Sequence, residues 1–436
     1  EYTPTLRFLA FVLLFSIVSC ADDDAIIITP ETQNPDPAPD PVSLTDEVEV
    51  YDADKIHNNM TLVVNAGKAS AFLLSKTGQK VHEFAFDEPL GNDLEILPNG
   101  NLLGIFKAPD AQIAFGGYGG IAKIINPTSG AVEWEYTLSN EDFVLHHDIE
   151  MLPNGNVLLL VWERIPEAVA AAQGSANPGD IYPETLMEID INTNSIVWEW
   201  RSFDHIVQDD DASLPNYGIV AQNPHKINVN YNPIANGDIM HANGLDYDAS
   251  KDVIYLSVNF FSEVWVIDHS TTTAEAATGS GGNYGKGGDL VYRFGNPRAY
   301  DNMQGEVRGD RNHYPNLLEN GVQGEGNMLL YVNGFAEGVS TVYEFDLPDT
   351  FSLLPDTDNE PAVVWFYKND AIFSSKISRA ERLTNGNTLI CEGDFGFWEV
   401  TPDKEVVWRY NGGEGSFFWR ALDYDVDDPI LASFGL

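Results

Sequence analysis

From about residue 60 onward, apolar side chains recur at every second position over short runs, and no stretch sustains the spacing of an amphipathic helix. Such alternation, broken at short intervals by Asn, Asp, Gly or Ser, predicts short half-buried strands joined by tight turns. Two elements repeat along the chain. One is an aromatic-x-aromatic strand after a hairpin: "EWEY" (Trp134, Tyr136), "VWEW" (Trp198, Trp200), "VYRF" (Tyr292, Phe294), "VWFY" (Trp365, Tyr367) and "VWRY" (Trp408, Tyr410), with "VHEF" (His82, Phe84) as a degenerate copy. The other is a strand, a turn and a second apolar strand. It reads "LEILPNGNLL" from Leu94, "IEMLPNGNVL" from Ile149, "GLDYDASKDVIYL" from Gly244, "LLENGVQGEGNMLL" from Leu317, "ERLTNGNTLI" from Glu381 and "RALDYDVDDPIL" from Arg420. Joined, the two elements make four strands per repeat and six repeats, the signature of propeller blades. The segment "MTLVVNAGKASAFLLSKTGQKVHEF" lacks the first element, whereas the C-terminal region ends on it. One blade is therefore expected to draw strands from both ends of the chain, which closes the ring and leaves no open edge. The expected fold is all-β, a six-bladed β-propeller.

The segment ahead of the repeats has a different character. Arg7 precedes a short apolar run, Phe8 to Val18, and Ser19 stands before Cys20. The run is too short for a comfortable membrane span and reads as a signal peptide. Ile17-Val18-Ser19-Cys20 resembles the lipobox of bacterial lipoproteins, whose cysteine carries the lipid. An acidic, Pro-rich stretch follows, as expected of an extended tether. The division expected is a lipoprotein signal peptide over 1–19, a tether over 20–55 and the propeller over 56–436. Lipid on Cys20 would anchor an exported protein to a bacterial outer membrane, on its periplasmic or surface-exposed face. With Cys20 acylated, Cys391 has no disulfide partner, and in the apolar "NTLICEG" run it reads as a buried inert thiol.

Charge narrows the possible partners. The chain has 23 Lys and Arg against 67 Asp and Glu, a net charge of -44, so a nucleic-acid backbone would be repelled. An anionic substrate would need local positive potential. The glycine-rich "GSGGNYGKGG" lacks the strand-to-helix context of a phosphate loop and reads as a linker-like loop.

Four of the nine histidines gather at one rim of the expected ring. The first strand of each blade lines the channel, and all six begin at the same face. Aligning the repeats places His146 with His241, Asp148 with Asn243, and His313 within one residue of the histidine position. Strand alternation then points His146 with Asp148, and His241 with Asn243, into the channel together. Asn92 and Arg379 stand near the start of two other repeats. The long insertions 163–184, 202–240 and 295–312 emerge at this face and are expected to wall off a pocket. Neutral imidazoles serve as nucleophile, proton shuttle or metal ligand, so their convergence points to chemistry or to a metal.

The motifs "HHD…LPNGN", "HAN…DY", "NH…GN…NG" and "NGNTLICEG", in this order across nearly all of 60–436, resemble those of the bacterial arylsulfate sulfotransferases. These are six-bladed propellers that move a sulfuryl group between phenols without a nucleotide donor. The resemblance implies that His313 is a nucleophile that becomes sulfated and that His241 and Asn243 form the family's His-x-Asn pair. A further active-site histidine falls on His146, with His147 as the alternative. Asn259 stands where the family has an arginine, and Arg379 is the first candidate to replace it, ahead of Arg311 and Lys226. The resemblance further implies a phenolic sulfate donor, a phenolic acceptor, and no cofactor or metal. Two other readings stay open. One is a metal-dependent hydrolase or lyase using the same histidines, and the other a non-catalytic surface propeller binding glycan or protein.

Overall fold

In the computed structural model, residues 42–436 are described, and six antiparallel sheets follow one another along them. The expected signal peptide, Cys20 and most of the tether lie outside the described residues. Each blade runs from an inner strand outward. The inner strands are Leu90–Ile96, Phe143–Met151, Ala242–Asp248, Asn312–Leu317, Arg379–Arg382 and Phe418–Asp425. Each touches the inner strands of both neighbouring blades, so the six close a ring around a channel.

The closure expected from the sequence is present. Phe418–Asp425 pairs with Asn59–Asn65, and Ser70–Ser75 and Lys80–Ala85 complete that blade. A second clasp was not anticipated. Val48–Tyr51 pairs with Val406–Asn411 as the fifth strand of the preceding blade. The ordered sheet thus begins inside the segment assigned to the tether. Its acidic flanks conceal a short alternation, Val48 and Val50 about Glu49, followed by Tyr51.

The repeated aromatic strand has a physical explanation. A buried indole or phenol needs a partner for its polar hydrogen. In five blades that hydrogen is donated to the next blade. Trp134 Nε1 reaches Asn194 Oδ1 at 2.7 Å, Trp200 Nε1 the Gly288 carbonyl at 2.7 Å, and Trp365 Nε1 the Pro402 carbonyl at 2.9 Å. Tyr292 donates to the Asn359 carbonyl and Trp408 to the Lys76 carbonyl. The motif recurs because each blade has the same joint to make.

The three insertions pack on one another. The Ala176 amide donates to Asn230 Oδ1 at 2.8 Å, the Ile234 amide to Asn177 Oδ1 at 2.7 Å, and Asn296 Nδ2 to Tyr231 Oη at 2.8 Å. The glycine-rich stretch follows a one-turn helix, Thr273–Ala276, which is closed by a Thr272–Glu275 capping box and packs against the outer strand Ser195–Arg201.

Candidate active site

The inner strands are irregular where the histidines sit. Pairing registers shift between Leu90 and Leu94, across residues 146–148, between Ala242 and Gly244, and between His313 and Pro315. A bulge re-aims side chains that alternation would send elsewhere. Left-handed backbone accompanies it at His147 (φ 54°), His241 (52°), Arg311 (59°), Tyr314 (48°), Ile377 (59°) and Ser378 (102°). Such conformations cost non-glycine residues about 1–3 kcal/mol each and gather at functional sites.

The bulge corrects the alignment of "HHD". Counted back from the following turn, His147 shares its place with Asn243, and His146 with Ala242. His147 is accordingly the hub of the cluster. Its ring centroid lies 4.8 Å from that of His241 and 5.5 Å from those of Trp162 and Trp419. Gly117 makes room for it, since a Cβ there would fall 2.0 Å from His147 Nε2. His146 stacks on Trp162 at 3.6 Å and bonds Glu184 Oε2 through Nε2 at 2.9 Å and His147 Nδ1 through Nδ1 at 2.7 Å. Burial holds both His146 and His147 well below the usual imidazole range, and the neighbouring His241 adds to the effect. Burial likewise raises Glu184 well above the usual carboxylate range, so the His146–Glu184 pair favours its uncharged forms.

His313 is buried, and desolvation pushes its pKa down to about 3. Its Nδ1 faces Asn333 Oδ1 at 2.6 Å, while Nε2 accepts the Ile377 amide at 3.0 Å. Since Oδ1 only accepts and the amide only donates, the ring proton resides on Nδ1 and the lone pair on Nε2. His241 is the most exposed of the four. Its Nδ1 bonds Asp238 Oδ2 at 2.5 Å, its ring stacks on Phe260 at 4.7 Å, and its Nε2 makes no hydrogen bond among the described residues.

The two asparagines act on the strand that carries His313. Asn243 Nδ2 donates to the Asn312 carbonyl at 2.9 Å and Asn259 Nδ2 to the same oxygen at 3.0 Å. Asn243 Oδ1 is buried without a partner, and Asn259 Nδ2 lies 3.4 Å from His313 Nδ1. Arg379 is not brought to the histidines. Its guanidinium lies over the Tyr314 ring at 4.4 Å and 3.8 Å from Glu381, further down the channel. Lys226 is held by Asp289 at 2.6 Å, away from the cluster. Arg311 is the nearby cation, 4.3 Å over Phe260, the ring that stacks on His241.

Sequence reasoning missed Asp238, Glu184, Asn333 and Trp419. Asp238 arrives on an insertion, where no repeat marks it, and Glu184 opens the strand Glu184–Asp190 just as an insertion ends. Trp419 offered a signal, standing three residues before Leu422, the apolar position that aligns with Ile149 and Leu245. The four histidines do not aim ligand atoms at one point. Among the described residues the His-containing group whose atoms converge is His57, Asp423 and Asp425, at the other end of the channel.

A family model described as Arylsulfotransferase (ASST) matches residues 45–415. No curated protein matches the chain. Among solved structures the chain is similar to a protein of unknown function from Bacteroides caccae, with 12% identity over 84% of this chain and 98% of that one, TM-score 0.46. A putative 6-phosphogluconolactonase from Bacteroides fragilis gives 10% identity over 86% and 100%, TM-score 0.39. Hydrazine synthase of Kuenenia stuttgartiensis gives 14% over 66% and 69%, TM-score 0.37.

Proposed function

The chain belongs to the arylsulfotransferase family, and from that premise we propose that it transfers sulfuryl groups from an aryl sulfate to a phenol through a sulfated His313. Membership of the family implies aryl sulfate sulfotransferase activity. The observation that carries the finer reading is the state of His313: neutral, with its proton tied at Nδ1 to Asn333 and its lone pair at Nε2.

In the proposed first step, the Nε2 lone pair of His313 attacks sulfur and the S–O bond to the aryl group breaks. The leaving phenolate has a conjugate acid of pKa ~10, so protonation by His241 Nε2 assists departure. The sulfated ring then carries positive charge at Nδ1–H, which Asn333 Oδ1 steadies. In the second step an acceptor phenol gives its proton to His241, its oxygen attacks sulfur, and the N–S bond breaks. Asp238 would fix the His241 tautomer with Nε2 as the working nitrogen, and stabilise the imidazolium. Asn243 and Asn259 position His313 by clamping the Asn312 carbonyl, His147 packs the cluster, and His146 supports it through Glu184. For Nε2 to attack, the Ile377 amide must yield, and that residue is held in a left-handed conformation unfavourable to a β-branched side chain.

The free Nε2 of His241 favours a second reading, in which His241 itself takes the sulfuryl group. One measurement separates the two. Enzyme treated with an aryl sulfate and no acceptor, quenched at alkaline pH, is mapped by mass spectrometry. A sulfuryl adduct on His313, absent in His313→Ala, is the expected result; an adduct on His241 reverses the roles. An active enzyme that forms no adduct overturns covalent transfer.

We further propose that Cys20 carries lipid and anchors the propeller to a bacterial membrane. Cys20→Ala should then move the protein from the membrane fraction to the soluble one. An unchanged membrane-bound fraction sinks that proposal.

A further inference from the structure

Most cations of this acidic chain are tied to carboxylates, as Lys123 is to Glu88 and Arg293 to Glu263. Lys107, Arg311 and Lys376 form no ion pair among the described residues. Each lies instead over an aromatic face: Lys107 Nζ 4.5 Å from the Tyr118 centroid, the Arg311 guanidinium 4.3 Å from Phe260, and Lys376 Nζ 5.0 Å from Phe417. Each pair also adjoins a different part of the histidine cluster. Tyr118 forms a backbone bridge with His146. Phe260 stacks on His241. Lys376 precedes Ile377, whose amide bonds His313, and Phe417 lies two residues before Trp419, whose ring faces His147 and His313.

We propose that these three cation–aromatic pairs form a collar that selects aromatic monoanions and delivers them to the histidines. The inference deepens the sulfuryl-transfer reading and rests on it for the identity of the substrate. A net charge of -44 repels an anion at long range, so capture requires positive charge that the protein has not already neutralised. A carboxylate partner would compete with the sulfate oxygens. An aromatic partner holds the cation in place, leaves its charge uncancelled, and presents a face on which an aryl group stacks. Lys107 and Arg311 are partly buried and Lys376 is exposed, so the collar runs from solvent towards the site.

The test uses an arylsulfonate, which keeps the ring and the anion but has no ester oxygen to expel. Its binding can therefore be measured whether or not sulfuryl transfer occurs. Calorimetry on the full chain should show binding that weakens steeply with ionic strength. The triple variant Lys107→Gln, Arg311→Gln, Lys376→Gln should bind at least about tenfold more weakly, with a flatter salt dependence. Thermal melting checks that the variant folds, and Lys376→Gln alone, at an exposed position, should already weaken binding. Lys404→Gln removes a cation lying 3.8 Å over Phe366, away from the histidines, and should change nothing. A wild-type protein that ignores the arylsulfonate overturns the collar, as does a triple variant that binds normally. Equal weakening by Lys404→Gln also overturns it, by reducing the effect to net charge. If arylsulfonate binding behaves as expected but no aryl sulfate is turned over, the collar stands and the transferase reading falls.

Discussion

At one end of the channel four imidazoles crowd together, and burial drives His146, His147 and His313 towards the neutral base. At the other end Glu95, Glu150, Asp246, Glu381 and Asp423 face a cavity of about 330 Å³. Burial there drives the opposite titration, raising Glu95 and Asp246 to about 7 and the other three in the same direction. These five carboxyl groups occupy the same place in five repeats, on strands that have returned to regular pairing. None has left-handed backbone. The histidines stand in or beside bulges, and two are backed by carboxylates, Asp238 from an insertion and Glu184 from the start of a neighbouring strand of the same blade as His146. The repeat thus uses its regular half to close the ring and its distorted half to build chemistry. Between them Arg379 and Arg420 flank Tyr314, with Arg420 paired to Asp93 and Asp148.

Breaking that partition should hurt most at Arg420. Arg420→Met leaves Asp93 and Asp148 buried without their cation, which should cost about 3–5 kcal/mol. Urea denaturation measures it; a loss under 1 kcal/mol would show that the carboxyl groups simply take up protons.

Asp238→Asn tests the other end. An amide keeps a hydrogen bond to His241 Nδ1 but brings no charge to stabilise the imidazolium that protonates the leaving oxygen, so geometry survives while the general acid is weakened. Transfer should fall about 100-fold in kcat/KM, roughly 2.7 kcal/mol, with little change in melting temperature. The loss should be smaller with donors of low leaving-group pKa. An equal loss across donors would point to a packing role instead.

The smallest effect concerns pH. The Glu95 carboxyl titrates near 4.5 when unfolded and at about 7 when folded, so the native state binds more protons between those values. Its burden on stability is absent below the unfolded value, grows as pH rises, and is complete above about 7. Glu95→Gln should therefore stabilise the protein on the order of 2 kcal/mol at pH 8 and by almost nothing at pH 4. His313, neutral in the fold down to about 3, contributes the opposite slope, with stability rising as pH climbs from about 3 towards 6.5. Denaturation midpoints at several pH values give both. A gain independent of pH would refute the assignment for Glu95.

The blade count, the shared blade and the aromatic joints were legible in the sequence because each obeys a period. Val48–Tyr51 was not, because four residues amid acidic neighbours give too short an alternation. His146 was favoured over His147 by alternation, which a bulge suspends for one residue. Arg379 begins its strand where a rim residue should, yet its guanidinium finds Tyr314 and Glu381 further down the channel. Position in a repeat fixes where a Cα lies but not where a long side chain reaches. Asp238 is a hydrogen-bond partner supplied by an insertion and Glu184 stands where an insertion meets its strand, so no periodicity singles them out.

The strand Phe418–Asp425 brings Trp419 to His147 and His313, and it is the sixth inner strand to leave the ribosome. Five blades can be translated while the ring still lacks the strand that shuts it. A chain stopped within its final blade would leave Asn59–Asn65 exposed as an unpaired edge and the histidines without one wall. Closure of the ring and completion of the wall around the histidines therefore depend on the same few residues, the last inner strand to be synthesised.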